Sequence, residues 1–168
     1  MKHSKHRHLE SKVFGPDDRQ TLQRRIQYWR FKDRRIVFTN GCFDLLHAGH
    51  VDYLARAADL GSVLLVGLNT DDSVRRIKGA NRPLNGQDAR ALVLASLSFV
   101  NAVVLFEEDT PAQIVQTILP DVLVKGDDYS PGDIAGADTV RRHGGQVLTI
   151  PLLKGFSTSG LIEKIKLV

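Results

Sequence analysis

Ile36-Val37-Phe38-Thr39-Asn40-Gly41-Cys42-Phe43-Asp44-Leu45-Leu46-His47-Ala48-Gly49-His50 begins as a short apolar run rich in β-branched residues and ends on two histidines three positions apart. Beyond it, Val51 to Leu60 carries a helical pattern closed by Gly61. The stretch therefore reads as a strand handing over to a helix. A helix start offers unpaired backbone N–H groups and the positive end of the helix dipole. Two imidazoles there add donors or positive charge, and Gly41 and Gly49 permit close backbone approach to a ligand. A phosphate chain fits this better than a metal: the pair lacks a clear third ligand, and Cys42 sits on the strand side.

Outward from this stretch the pattern alternates. Ser62–Leu68 is a continuous apolar run, as in a strand buried on both faces. Thr70–Ile77 and Gln87–Leu97 read as helices around a loop, Lys78–Gly86. Ala102–Phe106 reads as a strand, 110–119 as a helix, Val122–Lys125 as a strand and Gly136–His143 as a helix. Val147–Ile150 is the last strand, and Ser157–Lys166 the last helix. Five short strands alternating with helices imply an α/β domain with a doubly wound, five-stranded parallel sheet. Ahead of it, Leu22, Ile26 and Trp29 fall on one face of a helix that carries arginines elsewhere. The expected organisation is a flexible basic tail over residues 1–16, an N-terminal helix over 17–34 and one domain over 35–168. In such sheets ligands bind beyond the carboxyl ends of the strands. Asn40–His50, Asn69–Asp72, Phe106–Thr110, Lys125–Pro131 and Pro151–Ser159 all lie there.

The chain has 168 residues, 42% hydrophobic and 25% charged, ordinary for one well-buried soluble domain. No apolar run is long enough to span a bilayer, and Met1–Lys12 lacks the apolar core of a signal peptide. The single cysteine, Cys42, excludes an internal disulfide and suits a reducing cytoplasm. The net charge of +4 gathers in the tail and in Arg19–Arg35. A nucleic-acid binder could look so, but those arginines share a helix with an apolar stripe that looks like a docking face. Neither nucleic acid nor membrane is expected as a partner. Histidines 3, 6 and 8 are expected to be tail residues rather than a metal site.

Neither G-x-G-x-x-G nor G-x-x-x-x-G-K-[ST] is present, so the phosphate cradle is built another way. The segment Thr39–Leu54 resembles the G-x-F-D-x-x-H-x-G-H signature of nucleotidyltransferases with a cytidylyltransferase-like fold, a Rossmann-like sheet. Further segments are similar to a narrower group, the D-glycero-β-D-manno-heptose 1-phosphate adenylyltransferases. These are Ser73–Asn85, Glu107–Pro111, Asp121–Tyr129, Ile134–Asp138, Gly144–Val147 and Gly155–Ser159. The similarity covers about residues 35 to 165. In that group the domain often follows a kinase domain, so a stand-alone enzyme with a separate sugar kinase upstream is expected here.

The resemblance implies roles residue by residue. His47, His50 and Lys78 match groups that stabilise charge as the α-phosphate is attacked. Thr39, Asn40, Gly41, Cys42, Phe43, Gly49, Lys125, Gly126, Ser157, Thr158 and Ser159 join the two histidines as the expected nucleotide site. Asp44, Arg82, Lys125, Asp127, Asp128 and Tyr129 are the expected acceptor site. No protein-held metal is implied; Mg²⁺ would bridge phosphate oxygens of ATP. Cys42 reads as a small buried residue, since this chemistry has no covalent intermediate. The implied reaction joins AMP from ATP to a heptose 1-phosphate, giving ADP-heptose for lipopolysaccharide or another surface glycan. A homodimer or higher homo-oligomer is expected from family habit and the first helix's stripe. One departure stands out. Where the heptose group usually reads Lys-Gly-Gly-Asp-Tyr, this chain has Lys125-Gly126-Asp127-Asp128-Tyr129, similar to glycerol-3-phosphate cytidylyltransferases. That keeps a CTP-dependent enzyme as the alternative. A non-catalytic nucleotide-binding module is a remoter one.

Overall fold

The computed structural model describes residues 5–130 and 134–167. Its centre is a parallel sheet of β1 (Val13–Phe14), β2 (Ile36–Gly41), β3 (Val63–Asn69), β4 (Ala102–Phe106), β5 (Val122–Gly126) and β6 (Gln146–Ile150), in the order β1-β4-β3-β2-β5-β6. Strands are added outward from β2 on one side through β3 and β4, and on the other through β5 and β6. The direction of winding therefore reverses between β2 and β5, which sets the ligand crevice at their carboxyl ends.

Side chains alternate across the sheet as a pleated strand requires. One face carries Ile36, Phe38, Leu65, Val104 and Leu123. They pack against α2 (Arg19–Phe31), α6 (Ala112–Ile118) and α7 (Ala137–Arg142). The other face carries Val37, Leu64, Val66, Leu105 and Val124. They pack against α3 (Ala48–Ala58) and α5 (Gln87–Ser96). The helix α4 (Asp71–Lys78) follows β3, and α8 (Thr158–Lys166) closes the chain without a fully buried side chain. No described helix is long and apolar enough to cross a membrane.

Two expectations change at the N-terminus. The sheet has six strands, because Val13 and Phe14 pair with β4. The segment expected to be a flexible tail carries helix α1 (Lys5–Glu10) and then this strand. It is fastened by Lys12, whose ammonium donates to the carbonyls of Ala95 (3.0 Å) and Val100 (2.9 Å). Phe14 fills the end of the core. A two-residue strand has too few positions to show an alternating pattern, which hid it in the sequence. Met1 to Ser4, with His3, lie outside the described residues, as do residues 131–133 and Val168.

The stripe Leu22, Ile26 and Trp29 is buried in this chain's own core. It is therefore not a docking face, and it no longer argues for self-association. Arg30 on the same helix donates to the carbonyls of Ile118 (2.7 Å) and Leu119 (2.9 Å), satisfying the end of α6.

Candidate active site

The histidine segment folds more tightly than its pattern implies. Helix α3 starts at Ala48, three residues before the expected Val51, because the cap is itself a histidine. His47 Nδ1 accepts a hydrogen bond from the His50 backbone N–H (3.3 Å). The imidazoles stack with centroids 3.8 Å apart and 18° between planes. Phe156 lies beyond the His47 ring at 6.4 Å, and Phe43 meets His50 edge-on at 5.2 Å. Gly49 makes this packing possible: a Cβ there would lie 3.0 Å from Phe156 Cβ and 3.1 Å from His47 Nδ1.

Both imidazoles are depressed in pKa. Burial pushes His50 down to about 4; His47 beside it acts in the same direction and the Leu45 backbone opposes. Burial likewise lowers His47, against its own backbone hydrogen bond. At neutral pH the pair is uncharged, so the cleft offers N–H donors at a helix start rather than two imidazolium charges. With Nδ1 of His47 committed as an acceptor, the neutral ring carries its proton on Nε2. Nδ1 of His50 and Oδ1 of Asn40 are buried without a well-formed hydrogen bond, both in residues that line the cleft.

Cations gather on two sides. Lys78 is the last residue of α4 rather than a loop residue, and its side chain reaches the cleft. Lys125, near the end of β5, donates to the Asn40 carbonyl (3.2 Å), tying β5 to β2 at the crevice. It stands 4.8 Å above the Tyr129 ring. Burial pulls its pKa down to about 8, against the opposing charge of Asp128.

Asp44 turns out to hold the loop 79–86. Its Oδ1 accepts from the backbone N–H groups of Leu84 (2.7 Å) and Asn85 (3.1 Å), and Arg82 donates to its Oδ2 (2.7 Å). Both carboxylate oxygens are thus engaged, and Asp44 holds Arg82, which lines the cleft beside it. Cys42 is part-buried and lines the cleft, where it was expected to be buried; burial raises its thiol, with Lys78 and Arg90 opposing, so the group stays protonated.

Ser157 caps α8: its Oγ accepts from the Gly160 N–H (3.0 Å). The hydroxyl keeps its own proton free to donate, and Thr158 and Ser159 occupy the first turn. Two helix starts, those of α3 and α8, therefore open on one cleft of about 780 Å³. Of the residues expected in the site, the cleft is lined by Asn40, Gly41, Cys42, Phe43, Asp44, His47, Gly49, His50, Lys78, Arg82, Lys125, Gly126, Asp128, Tyr129 and Ser157 to Ser159.

Two expected site residues are not brought there. Thr39 is fully buried, its hydroxyl 2.7 Å from that of Tyr53. Asp127 turns away: its Oδ1 accepts from the Leu152 N–H (3.1 Å) and its own N–H donates to the Ile150 carbonyl (3.0 Å). It braces the loop after β6, which Arg56 also holds through the Pro151 carbonyl. At Gly126 beside it, a Cβ would displace the Asp128 carboxylate, whose Oδ1 would lie 2.5 Å away, and would crowd Leu152 at 3.0 Å. Pro131, at the end of the expected segment 125–131, lies outside the described residues. The cleft also includes Tyr53, Asn69, Ile77, Asp109, Leu152 and Phe156, none individually expected in the site, although Asn69, Asp109, Leu152 and Phe156 fall in segments expected at the carboxyl ends of the strands. Tyr53 stands one helical turn after His50 and could have been found by that spacing. The apolar wall of Leu152 and Phe156 carries no polar signature.

The sequence model of the cytidylyltransferase-like family matches residues 38–150. The bifunctional protein HldE of Trichlorobacter lovleyi is 49% identical over 160 residues, covering 95% of this chain and 32% of that protein. HldE of Wolinella succinogenes is 51% identical over 148 residues, 88% of this chain and 30% of that protein. HldE of Coxiella burnetii is 56% identical over 130 residues, 77% of this chain and 27% of that protein. This chain thus spans about a third of the length of these relatives. Among solved structures, the lipopolysaccharide core biosynthesis protein of Thermoplasma volcanium GSS1 superposes with a TM-score of 0.60 at 26% identity. The match covers 73% of this chain and 99% of that one.

Proposed function

Because the chain belongs to the cytidylyltransferase-like family, we propose that its cleft transfers AMP from ATP to D-glycero-D-manno-heptose 1-phosphate, giving ADP-heptose and pyrophosphate. The observation that carries the nucleotidyl-transfer reading is the stacked, uncharged His47–His50 pair at the start of α3, across one cleft from the hydroxyls at the start of α8. ATP and a heptose as the reactants are supported by the segments similar to heptose 1-phosphate adenylyltransferases. Identity of about half to the HldE proteins supports them further.

An oxygen of the sugar phosphate attacks the α-phosphorus as the bond to the bridging oxygen of the β-phosphate breaks, and pyrophosphate leaves. The attacking phosphate is already an anion, so no general base is required. Catalysis is then positioning and electrostatic stabilisation. His47 Nε2–H, His50 and the first N–H groups of α3 donate to the triphosphate. Ser157, Thr158 and Ser159 hold it from the far side, while Lys78 and Lys125 supply charge. Arg82, held by Asp44, faces the acceptor's phosphate, with Asp128 and Tyr129 near its hydroxyls. Among the described residues no group of three or more His, Cys, Asp or Glu side chains is placed to hold a metal. A donor set of this kind fits Mg²⁺ carried in on the nucleotide, where it would neutralise phosphate charge.

The CTP and glycerol 3-phosphate alternative rests on the run Gly126-Asp127-Asp128, of which Gly126 and Asp128 line the cleft while Asp127 bonds the Leu152 N–H. A cytoplasmic setting and a homodimer stay within the proposal. For the dimer, exposed Tyr28 and Phe31 on α2 are the surface to vary while light scattering reads the mass. The deciding experiment is pyrophosphate release with Mg²⁺, crossing ATP, CTP and GTP against both heptose 1-phosphate anomers and glycerol 3-phosphate. Turnover with ATP and a heptose 1-phosphate alone is expected. Turnover with CTP and glycerol 3-phosphate would replace the substrates and keep the mechanism. Binding of nucleotide without turnover of any pair would overturn the enzyme reading.

A further inference from the structure

Arg90 does not line the cleft, yet its side chain is wholly buried and its fork reaches three separate segments around it. Nε donates to the Asn85 carbonyl (2.9 Å), one terminal nitrogen to the Cys42 carbonyl (2.6 Å), and the other to Asp71 Oδ1 (2.7 Å). These partners belong to the loop 79–86, the turn between β2 and α3, and the first residue of α4. A guanidinium can serve three directions at once because its donors lie in a rigid plane; an ammonium on a flexible stem cannot hold the same three.

The loop it grips has few anchors of its own. Most of residues 79–86 are exposed. The loop's fixed points are Arg90 at Asn85 and Asp44 at Arg82, Leu84 and Asn85. Arg82 is the arginine that reaches the cleft, and it follows Lys78 by four residues. Burying an arginine is costly unless every donor is used, and an apolar side chain of similar volume would fill the same space. What the charged fork adds is registry between the histidine turn and the loop that presents Arg82.

We propose that Arg90 is a positioning residue for the acceptor's phosphate, locking the 79–86 loop to the histidine turn so that Arg82 meets the incoming anion in register with the nucleotide. The inference rests on the reading of Arg82 as an acceptor-side group. Its prediction is selective. Loosening the loop weakens the acceptor and leaves the nucleotide, which is held by α3 and α8, nearly untouched.

The test is a double-mutant cycle on Arg90→Lys and Arg82→Ala. KM for heptose 1-phosphate, KM for ATP, kcat and the thermal midpoint are read for each protein. Arg90→Lys is expected to raise the acceptor KM about tenfold, the size of a lost charge-assisted hydrogen bond, with the ATP KM changed less than about twofold. In the Arg82→Ala background the same change should add less than about twofold, because the two act through one loop. Equal shifts in both KM values, or full additivity, would make Arg90 a structural residue only and overturn the inference. An Arg82→Ala variant with an unchanged acceptor KM would overturn the reading of Arg82 and this inference with it. A raised KM in Arg82→Ala beside an unaffected Arg90→Lys would overturn the inference alone. Should Arg90→Lys fail to fold, Asp71→Ala releases one arm of the fork from a carboxylate already 25% exposed. It should show the same selective rise, and a flat acceptor KM in that variant would overturn the inference.

Discussion

His47 Nδ1 lies 3.3 Å from the backbone nitrogen of His50, and the two rings stack at 3.8 Å. One histidine therefore starts the helix on which the other rides. The first ring's geometry is fixed by a backbone hydrogen bond, and the second's by stacking on the first. Helix start and donor array are built by the same two side chains.

This dual use can be separated. Asparagine is a strong helix cap, so His47→Asn should keep the start of α3 and the stability of the fold while removing the ring. Turnover should fall in that variant and in His50→Ala alike, by about 100-fold or more for a lost transition-state donor. Circular dichroism and a thermal midpoint close to those of the parent, with turnover also close to the parent's, would remove both histidines from the chemistry.

The depressed pKa of His50 has a consequence for stability. In the unfolded chain it titrates near its ordinary value of about 6.5, in the folded protein near about 4. Between those values the unfolded state binds more protons, so stability should rise with pH across that window. Equivalently, it is lost as pH falls below the ordinary value. His50→Gln cannot titrate and should flatten this part of the profile by of order 1–2 kcal/mol, allowing for partial solvent access. Urea midpoints of both proteins at pH 7 and pH 5 check it; parallel profiles would contradict the buried, uncharged state.

The motif departure at Asp127 makes a sharper test. A neutral acceptor is enough for the Leu152 N–H, so Asp127→Asn should leave both KM values and the choice of acceptor unchanged. Asp127→Ala frees the loop after β6, and the nucleotide KM should rise about fivefold, the worth of one partly exposed hydrogen bond. A changed acceptor preference in Asp127→Asn would return that residue to the acceptor site.

What the sequence disclosed and what it hid follow from range. The strands after the tail were legible because most are built on a short apolar run, as in Val63–Leu68 with every residue buried. The histidine turn was legible because its residues act near one another in the chain, and the family match bears out the resemblance read there. Nothing in the sequence sets Arg90 apart from the rest of its helix. Its burial depends on carbonyls at residues 42 and 85, a relation no local pattern records. Asp127 was assigned by adjacency. It follows Lys125 and Gly126 in sequence, but the backbone turns it toward Leu152.

Lys125 predicts how nucleotide affinity depends on pH. With burial holding its pKa near about 8, the free protein loses this charge as pH rises through that value. ATP affinity should then decline above it, by up to about tenfold per pH unit from this group. Lys125→Met should bind ATP more weakly at pH 7 and show a flatter decline between pH 7.5 and 9.5. Titration calorimetry at several pH values reads both. The same slope in parent and variant would take Lys125 out of the nucleotide's reach.

Residues 12–14 should behave as part of the sheet. Phe14 is 4% exposed within the core beneath α2, and Lys12 closes the end of α5 through two carbonyls. Phe14→Ala should cost about 3–4 kcal/mol, the range for emptying a buried aromatic site. Lys12→Met should cost about 1 kcal/mol, since both carbonyls lose their donor while some water access remains. Removing residues 1–14 should lower the thermal midpoint at least as far as Phe14→Ala does, because it also strips the hydrogen bonds of β1 from the edge of β4. A flexible tail would leave the midpoint where it was. Denaturant melts of the three variants separate these outcomes, and an unchanged midpoint in the truncated protein would make β1 dispensable to the fold.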